Sequence, residues 1–212
     1  MTPDVTVDLR NQFGSVRDQG QRPTCMAFAA SDAHSFARES LDALSAEYAF
    51  YHAVRRQLTP DRTKGVSFSA MVDTIATDGQ PLESRWPYLI DLQPNDPWTP
   101  PASPGTLYRR NTTTIANALM EIVDTLRAGS PVVIGMEIGN SFYYLRAGDV
   151  LPAANEAVAG RHAVIAVGLG DLNSAHCLLL RNSWGTGWGD LGHGWIHEDY
   201  LAPRLLIAGI MK

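Results

Sequence analysis

Apolar residues recur at helical spacing through the first half of the chain and fall in short unbroken runs through the second. From Thr24 to about Leu41, the positions Met26, Ala29, Ala30, Ala33, Phe36 and Ala37 follow a 3.6-residue repeat, which predicts a helix. LSAEYAFYHAVRR (44–56) predicts a second, with Ser45 as N-cap and Arg55 and Arg56 near the C-terminus, where positive charge is favoured. SFSAMVDTIATDG (67–79) predicts a third that stops at Gly79, and a fourth helical pattern covers about 114–127. SPVVIGMEI (130–138), HAVIAVGLG (162–170) and HCLLLRNSW (176–184) are Val-, Ile- and Leu-rich runs bounded by Gly, Pro, Asn or Ser, as buried strands are. Helices first and strands second, without βαβ alternation, imply an α+β protein. A strand over about 4–10 is expected to cross from the first half to the second. Between the halves, LQPNDPWTPPASPG (92–105) holds five prolines, which excludes regular structure and marks a connection.

Composition narrows the partners. The 212 residues are 45% hydrophobic and 18% charged, with a net charge of −5, as in an ordinary globular protein. That balance offers no basic stripe for nucleic acid and no polybasic segment for lipid, so neither nucleic acid nor membrane is expected as a partner. The opening MTPDVTVDLRNQF lacks the basic and apolar regions of a signal peptide. Cys25 and Cys177 are too few for a disulfide framework, and a reducing, cytoplasmic location is expected, with delivery as a secreted effector left open.

The chemistry starts at DQGQRPTCMAFAASDAHSF (18–36), where a turn-like stretch becomes a helix at Cys25. Most free cysteines are small buried hydrophobes. An unperturbed thiol, with a pKa near 8.5, is only a few per cent thiolate at neutral pH, whereas a helix N-terminus and a neighbouring histidinium lower it to about 3–4. Pro23 and Thr24 predict that the helix begins at this point, Thr24 as its cap, so the Cys25 amide is free to donate to an oxyanion. Gln19 offers a second donor through its side-chain amide. GRHAVIAVGLG then presents His162 at a strand start about 137 positions downstream, and LLLRNSWGTGWG presents Asn182 about 20 later. Cysteine, histidine and asparagine in that order and spacing are those of papain and the cathepsins.

The chain resembles the papain-like cysteine peptidases, in a short bacterial-type form without a propeptide. The resemblance is carried by VRDQGQRPTCMAFA, LSAEYAFYHA, DGQPLESRWPY, AGSPVVIGMEI, GRHAVIAVGLG and LLLRNSWGTGWGDLGHGW. It implies a papain-like two-subdomain fold over residues 1–212, with a helical left half (about 11–110), an antiparallel β-barrel-like right half (about 1–10 plus 111–212), and a cleft between them. It implies a cysteine endopeptidase acting on protein or peptide substrates through a Cys25 thioester. His162 would be the acid and base, Asn182 its orienter, and Gln19 with the Cys25 amide the oxyanion hole; no metal or cofactor is expected. A resting thiolate–imidazolium pair suits the neutral Asn182. Trp184 would cover the Asn182–His162 hydrogen bond, and Gly65, with Trp184 and Arg161, is placed among the substrate-binding residues.

The departures are specific. Arg22-Pro23-Thr24 stands where the family has Cys-Gly-Ser, Met26 where it has an aromatic, and KGVSF keeps only Gly65 of the family's two glycines. Arg161 precedes His162, and strand alternation should turn its charge away from the imidazole. A regulatory partner protein in place of the propeptide is an expectation of the short form. A thiol acyl transferase, amidase or peptide ligase would use the same acyl-enzyme, and an inactive peptide-binding module is the alternative from another class. Cys177 reads as core packing. His176 has no Cys or His partner at metal-ligand spacing, His193 and His197 are four apart in a stretch that does not read as a helix, and His34 and His52 read as packing or surface residues without an acidic partner.

Overall fold

The computed structural model describes residues 2–153 and 155–212. Helices α1 (Cys25–Ala37), α2 (Ala46–Arg55) and α3 (Phe68–Thr77) precede the main strands. Ser45 and Ser67 cap α2 and α3 by accepting from the backbone N–H of Tyr48 and Ala70, as serine does before a helical run. α1 is buried on nearly every face, and its alanines Ala27, Ala29, Ala30 and Ala33 let the sheet and the other helices approach closely.

Strands β1 (Asp4–Asp8), β2 (Thr112–Ile115), β3 (Val132–Ile138), β4 (Val150–Leu151), β5 (Gly160–Leu172), β6 (Ala175–Arg181), β7 (His193–His197) and β8 (Leu205–Met211) form one sheet. Its order is β2-β8-β3-β5-β6-β7-β4, with β1 also pairing with β5. The sheet is not closed into a barrel, which corrects the barrel-like expectation. Its edges are β2, of four residues, and β4, of two, and the β4–β7 pairing is parallel while the others are antiparallel. β5 is apolar throughout its middle because it lies inside the sheet with α1 and α4 (Leu119–Arg127) packed against it.

The helical pattern expected from 114 begins only at Leu119. Thr112–Ile115 is instead a strand paired with β8, since a run of three threonines and an isoleucine favours extended backbone. The crossing strand is β1, pairing antiparallel with β5 from Asp4↔Asp171 to Asp8↔Gly168. β5 and β6 are joined through Asn173 and Ser174, both at positive φ, as a tight hairpin requires. His34 is fully buried in the helical half, and His52 does have an acidic neighbour, Asp78 at 3.5 Å; the two come from different helical segments, so no local spacing shows the pair. Cys177 is buried in β6.

Candidate active site

Cys25 and His162 line one cavity where helix faces sheet, with Asn182 bonded to His162 and Gln19 bonded to Ser183 beside it. Cys25 is the first residue of α1, and His162 lies near the start of β5, opposite Met136 of β3. Asn182 follows the last residue of β6, with its backbone N–H tied to the Gly192 carbonyl at 2.9 Å. Gln19 lies in the loop before α1, its backbone N–H donating to the Ser183 carbonyl at 2.8 Å. Cys25 and His162 line one cavity of about 410 Å³ together with Gly65, Arg161, Phe68 and Met136.

Hydrogen bonds fix the orientation of both amides. Asn182 Oδ1 accepts from the Ser183 backbone N–H at 2.8 Å and lies 2.7 Å from His162 Nε2. A backbone N–H can only donate, so the Asn182 atom facing it is the oxygen, and Nε2 must carry the ring proton. Nδ1 is then the unprotonated nitrogen of the neutral ring. Gln19 Nε2 donates to the Arg22 carbonyl at 2.8 Å, and its Oε1 accepts from Ser183 Oγ at 2.7 Å. One N–H of Gln19 remains for another acceptor.

Trp184 lies with its ring centroid 4.5 Å from that of His162 and stacks on Tyr143, 5.1 Å away and nearly parallel. Phe142, in the short helix α5 (Asn140–Tyr143), packs edge-on to both His162 and Trp184. This aromatic wall keeps the Asn182–His162 bond in low dielectric. Arg161 turns to Glu137, 3.6 Å away, on the exposed rim. Gly65 is held by Gln57, whose amide donates to the Gly65 carbonyl at 3.2 Å and accepts from the Ser67 N–H at 3.1 Å.

Burial dominates the electrostatics. It pushes the Cys25 thiol up, against the amides of Ala163, Met26 and Cys25 itself, which favour the thiolate. It pushes His162 down to about 4, against the hydrogen bond its ring donates to Asn182. Taken singly, each shift favours the uncharged form, so a thiolate–imidazolium pair forms only by passing the Cys25 proton to His162.

Several supports of the site lie too far apart in sequence to be recognised there. Arg22, in the position of the missing family cysteine, makes a bidentate pair with Glu47 at 2.6 and 2.9 Å. Glu47 is completely buried and also accepts from Trp98 Nε1 and the Leu89 N–H, so all four of its acceptances are filled. An ion pair thus ties the loop before Cys25 to α2. Asp32 of α1 binds Arg17 and Arg181, each at 2.7 Å, and those arginines lie just before Gln19 and Asn182. Only the charges themselves could have signalled these pairs.

A thiol and an imidazole brought to one cavity where helices meet a sheet place the chain among proteins with a cysteine–histidine centre. The family model described as papain family cysteine protease matches residues 3–201, and the chain belongs to that family. It is 29% identical over 223 residues to a senescence-specific cysteine protease of Arabidopsis thaliana, covering 98% of this chain and 60% of that protein. It is 27% identical over 201 residues to a cysteine protease of Blomia tropicalis, covering 87% of this chain and 58% of that one. The chain thus spans about six-tenths of the length of these curated relatives. Among solved structures, xylellain, a cysteine protease from Xylella fastidiosa, superposes with a TM-score of 0.80 at 24% identity, over 100% of this chain and 90% of that one, which shows a shared fold.

Proposed function

We propose that this chain is a cysteine endopeptidase in which Cys25, His162, Asn182 and Gln19 carry the reaction. The observation that carries the reading is the double acceptance at Asn182 Oδ1, which leaves Nδ1 of His162 free to take a proton in the cavity that holds Cys25. Cys25 Sγ attacks the acyl carbon as its proton passes to Nδ1, forming the C–S bond. The oxyanion is met by the Cys25 N–H and the free N–H of Gln19. His162 then returns the proton to the leaving amine as the C–N bond breaks, and a thioester remains. Water, deprotonated by His162, attacks that thioester, releasing the acid and restoring the thiol.

Substrate backbone lies along Gly65 and Val66, a stretch that Gln57 holds by bonding the Gly65 carbonyl and the Ser67 N–H. A neighbouring substrate side chain enters the cavity, whose Phe68, Met136 and Ile207 favour an apolar group. Trp184 and Arg161 line the approach on the sheet side. With both cysteines free, the chain is suited to a reducing compartment such as the cytoplasm. A peptide-library digest read by mass spectrometry tests the activity. Internal cleavage by the wild type and none by Cys25→Ala is the expected result; no cleavage by the wild type, or equal cleavage by both, ends the reading.

A further inference from the structure

Tyr88, far in sequence from Gln19, Cys25, His162 and Asn182, joins the two ends of the proposed oxyanion hole. Its OH lies 2.8 Å from the backbone oxygen of Gln19 and 2.7 Å from Thr24 Oγ1. A carbonyl cannot donate, so the phenol's one proton goes to Gln19, and the Thr24 hydroxyl must donate to the phenol oxygen. Burial pushes the phenol up to about 12, so it remains a donor wherever the protein works. The ring itself is held independently. Phe28 packs edge-on at 4.7 Å, the Arg22 guanidinium lies over it at 4.9 Å, and its backbone N–H donates to Glu83 Oε1 at 2.8 Å.

Thr24 is the N-cap of α1, yet its side chain makes no capping hydrogen bond. A capping threonine ordinarily accepts from the second or third amide of the helix, here Met26 or Ala27. The Ala27 N–H bonds the Thr24 carbonyl at 2.9 Å, so Met26 is the amide a free hydroxyl would take. That amide and the one of Cys25 are among those facing the sulfur.

We propose that Tyr88 is a positioning residue of the acyl-transfer centre: one phenol fixes the Gln19 backbone and draws the Thr24 hydroxyl away from the first-turn amides that the sulfur and oxyanion need. The proposal rests on the thiol-peptidase reading above. Tyr88→Phe removes both hydrogen bonds and keeps the ring. It should lower kcat about tenfold, with KM within about twofold, the size expected for losing a hydrogen bond that acts in the transition state. The pH profile of iodoacetamide labelling at Cys25 should shift upward as Thr24 captures the Met26 amide. Adding Thr24→Val to Tyr88→Phe should return that profile toward wild type while kcat stays low, because Gln19 is still untethered.

Wild-type kcat and labelling in Tyr88→Phe would overturn the proposal, as would a labelling shift that Thr24→Val fails to reverse. Should Tyr88→Phe unfold, Thr24→Val alone decides. An unshifted labelling profile is expected, and an upward shift would show Thr24 to be an ordinary cap. Wild-type protein with no turnover and a thiol inert at both pH 5 and pH 8 would instead remove the peptidase reading itself.

Discussion

The proton on His162 is placed by Asn182 at the end of the adjacent strand β6, since Asn182 Oδ1 is already committed to the Ser183 N–H and can only accept from the ring. Replacing Asn182 with alanine frees the ring to turn and exposes Nε2 to the wrong role. Losing a hydrogen bond that strengthens as the ring becomes charged is worth about 1.5–3 kcal/mol, or roughly 10–100-fold in rate. Asn182→Ala should therefore lower kcat/KM by about that factor; an unchanged value would mean that packing by Trp184 alone orients the imidazole. Gln19→Ala removes an oxyanion donor and should lower kcat by roughly 10²–10³. Because burial holds both Cys25 and His162 uncharged when considered singly, thiolate at pH 5 has to come from proton transfer between them. His162→Ala should then label far more slowly than wild type with iodoacetamide at pH 5, and equal rates would disconnect the two residues. At this scale the start of α1 at Cys25 and the pairing of His162 with Asn182 were readable from type, order and spacing. Ser183 and Tyr88 were not, because what they contribute is a hydrogen bond across 164 and 69 positions, which no local pattern records.

The elements that local chemistry dictates were legible: Ser45 and Ser67 sit at the caps they suggest, and the apolar runs became β3, β5 and β6. Reading failed where a tertiary partner outweighed the local signal. Thr112–Ile115 joins β8 as an edge strand although apolar spacing runs on into α4, and the Thr24 side chain serves Tyr88 rather than its helix. The tie between the nucleophile loop and α2 was likewise hidden, since the residues themselves show only a missing cysteine at position 22. Arg22→Ala would leave the completely buried Glu47 carboxylate without its counter-charge. Breaking one side of such a pair costs about 3–5 kcal/mol. Urea unfolding should show that loss, whereas a change below about 1 kcal/mol, the scale of an exposed pair, would mean that water reaches Glu47 when Arg22 is gone.

Across the whole molecule, the helices and the sheet are joined beneath the cleft by Asp32, whose carboxylate stays ionised despite burial because Arg17 and Arg181 flank it. The junction was legible only as a break in composition; the charges that close it come from three segments. The same burial that makes this interface compact determines how the protein meets acid. His34, His162 and His193 are each pushed down to about 4 from 6.5, with desolvation the largest cause in every case. His34 Nδ1 lies 2.8 Å from Gln80 Oε1, while its Nε2 has no partner among the described residues, and Arg38 and Arg110 add like charge nearby. In the unfolded chain these rings take up protons as pH falls through about 6.5, but in the folded protein they do so only near 4. The unfolded state thus binds more protons across that window, and stability falls as pH falls. A shift of this size corresponds to about 3 kcal/mol for each ring, so three together rival the 5–15 kcal/mol by which domains are ordinarily stable. Asp32 acts in the same sense but lower. Its pKa is depressed, so the stability it adds above the ordinary carboxylate range is lost only as pH drops through its folded value. The urea midpoint should therefore drop steeply between pH 7 and pH 4.5, and His34→Gln should flatten that drop by removing one of the three protons, even if it lowers the midpoint at pH 7. A midpoint that holds constant down to pH 4.5 would show that these rings are already charged in the folded protein.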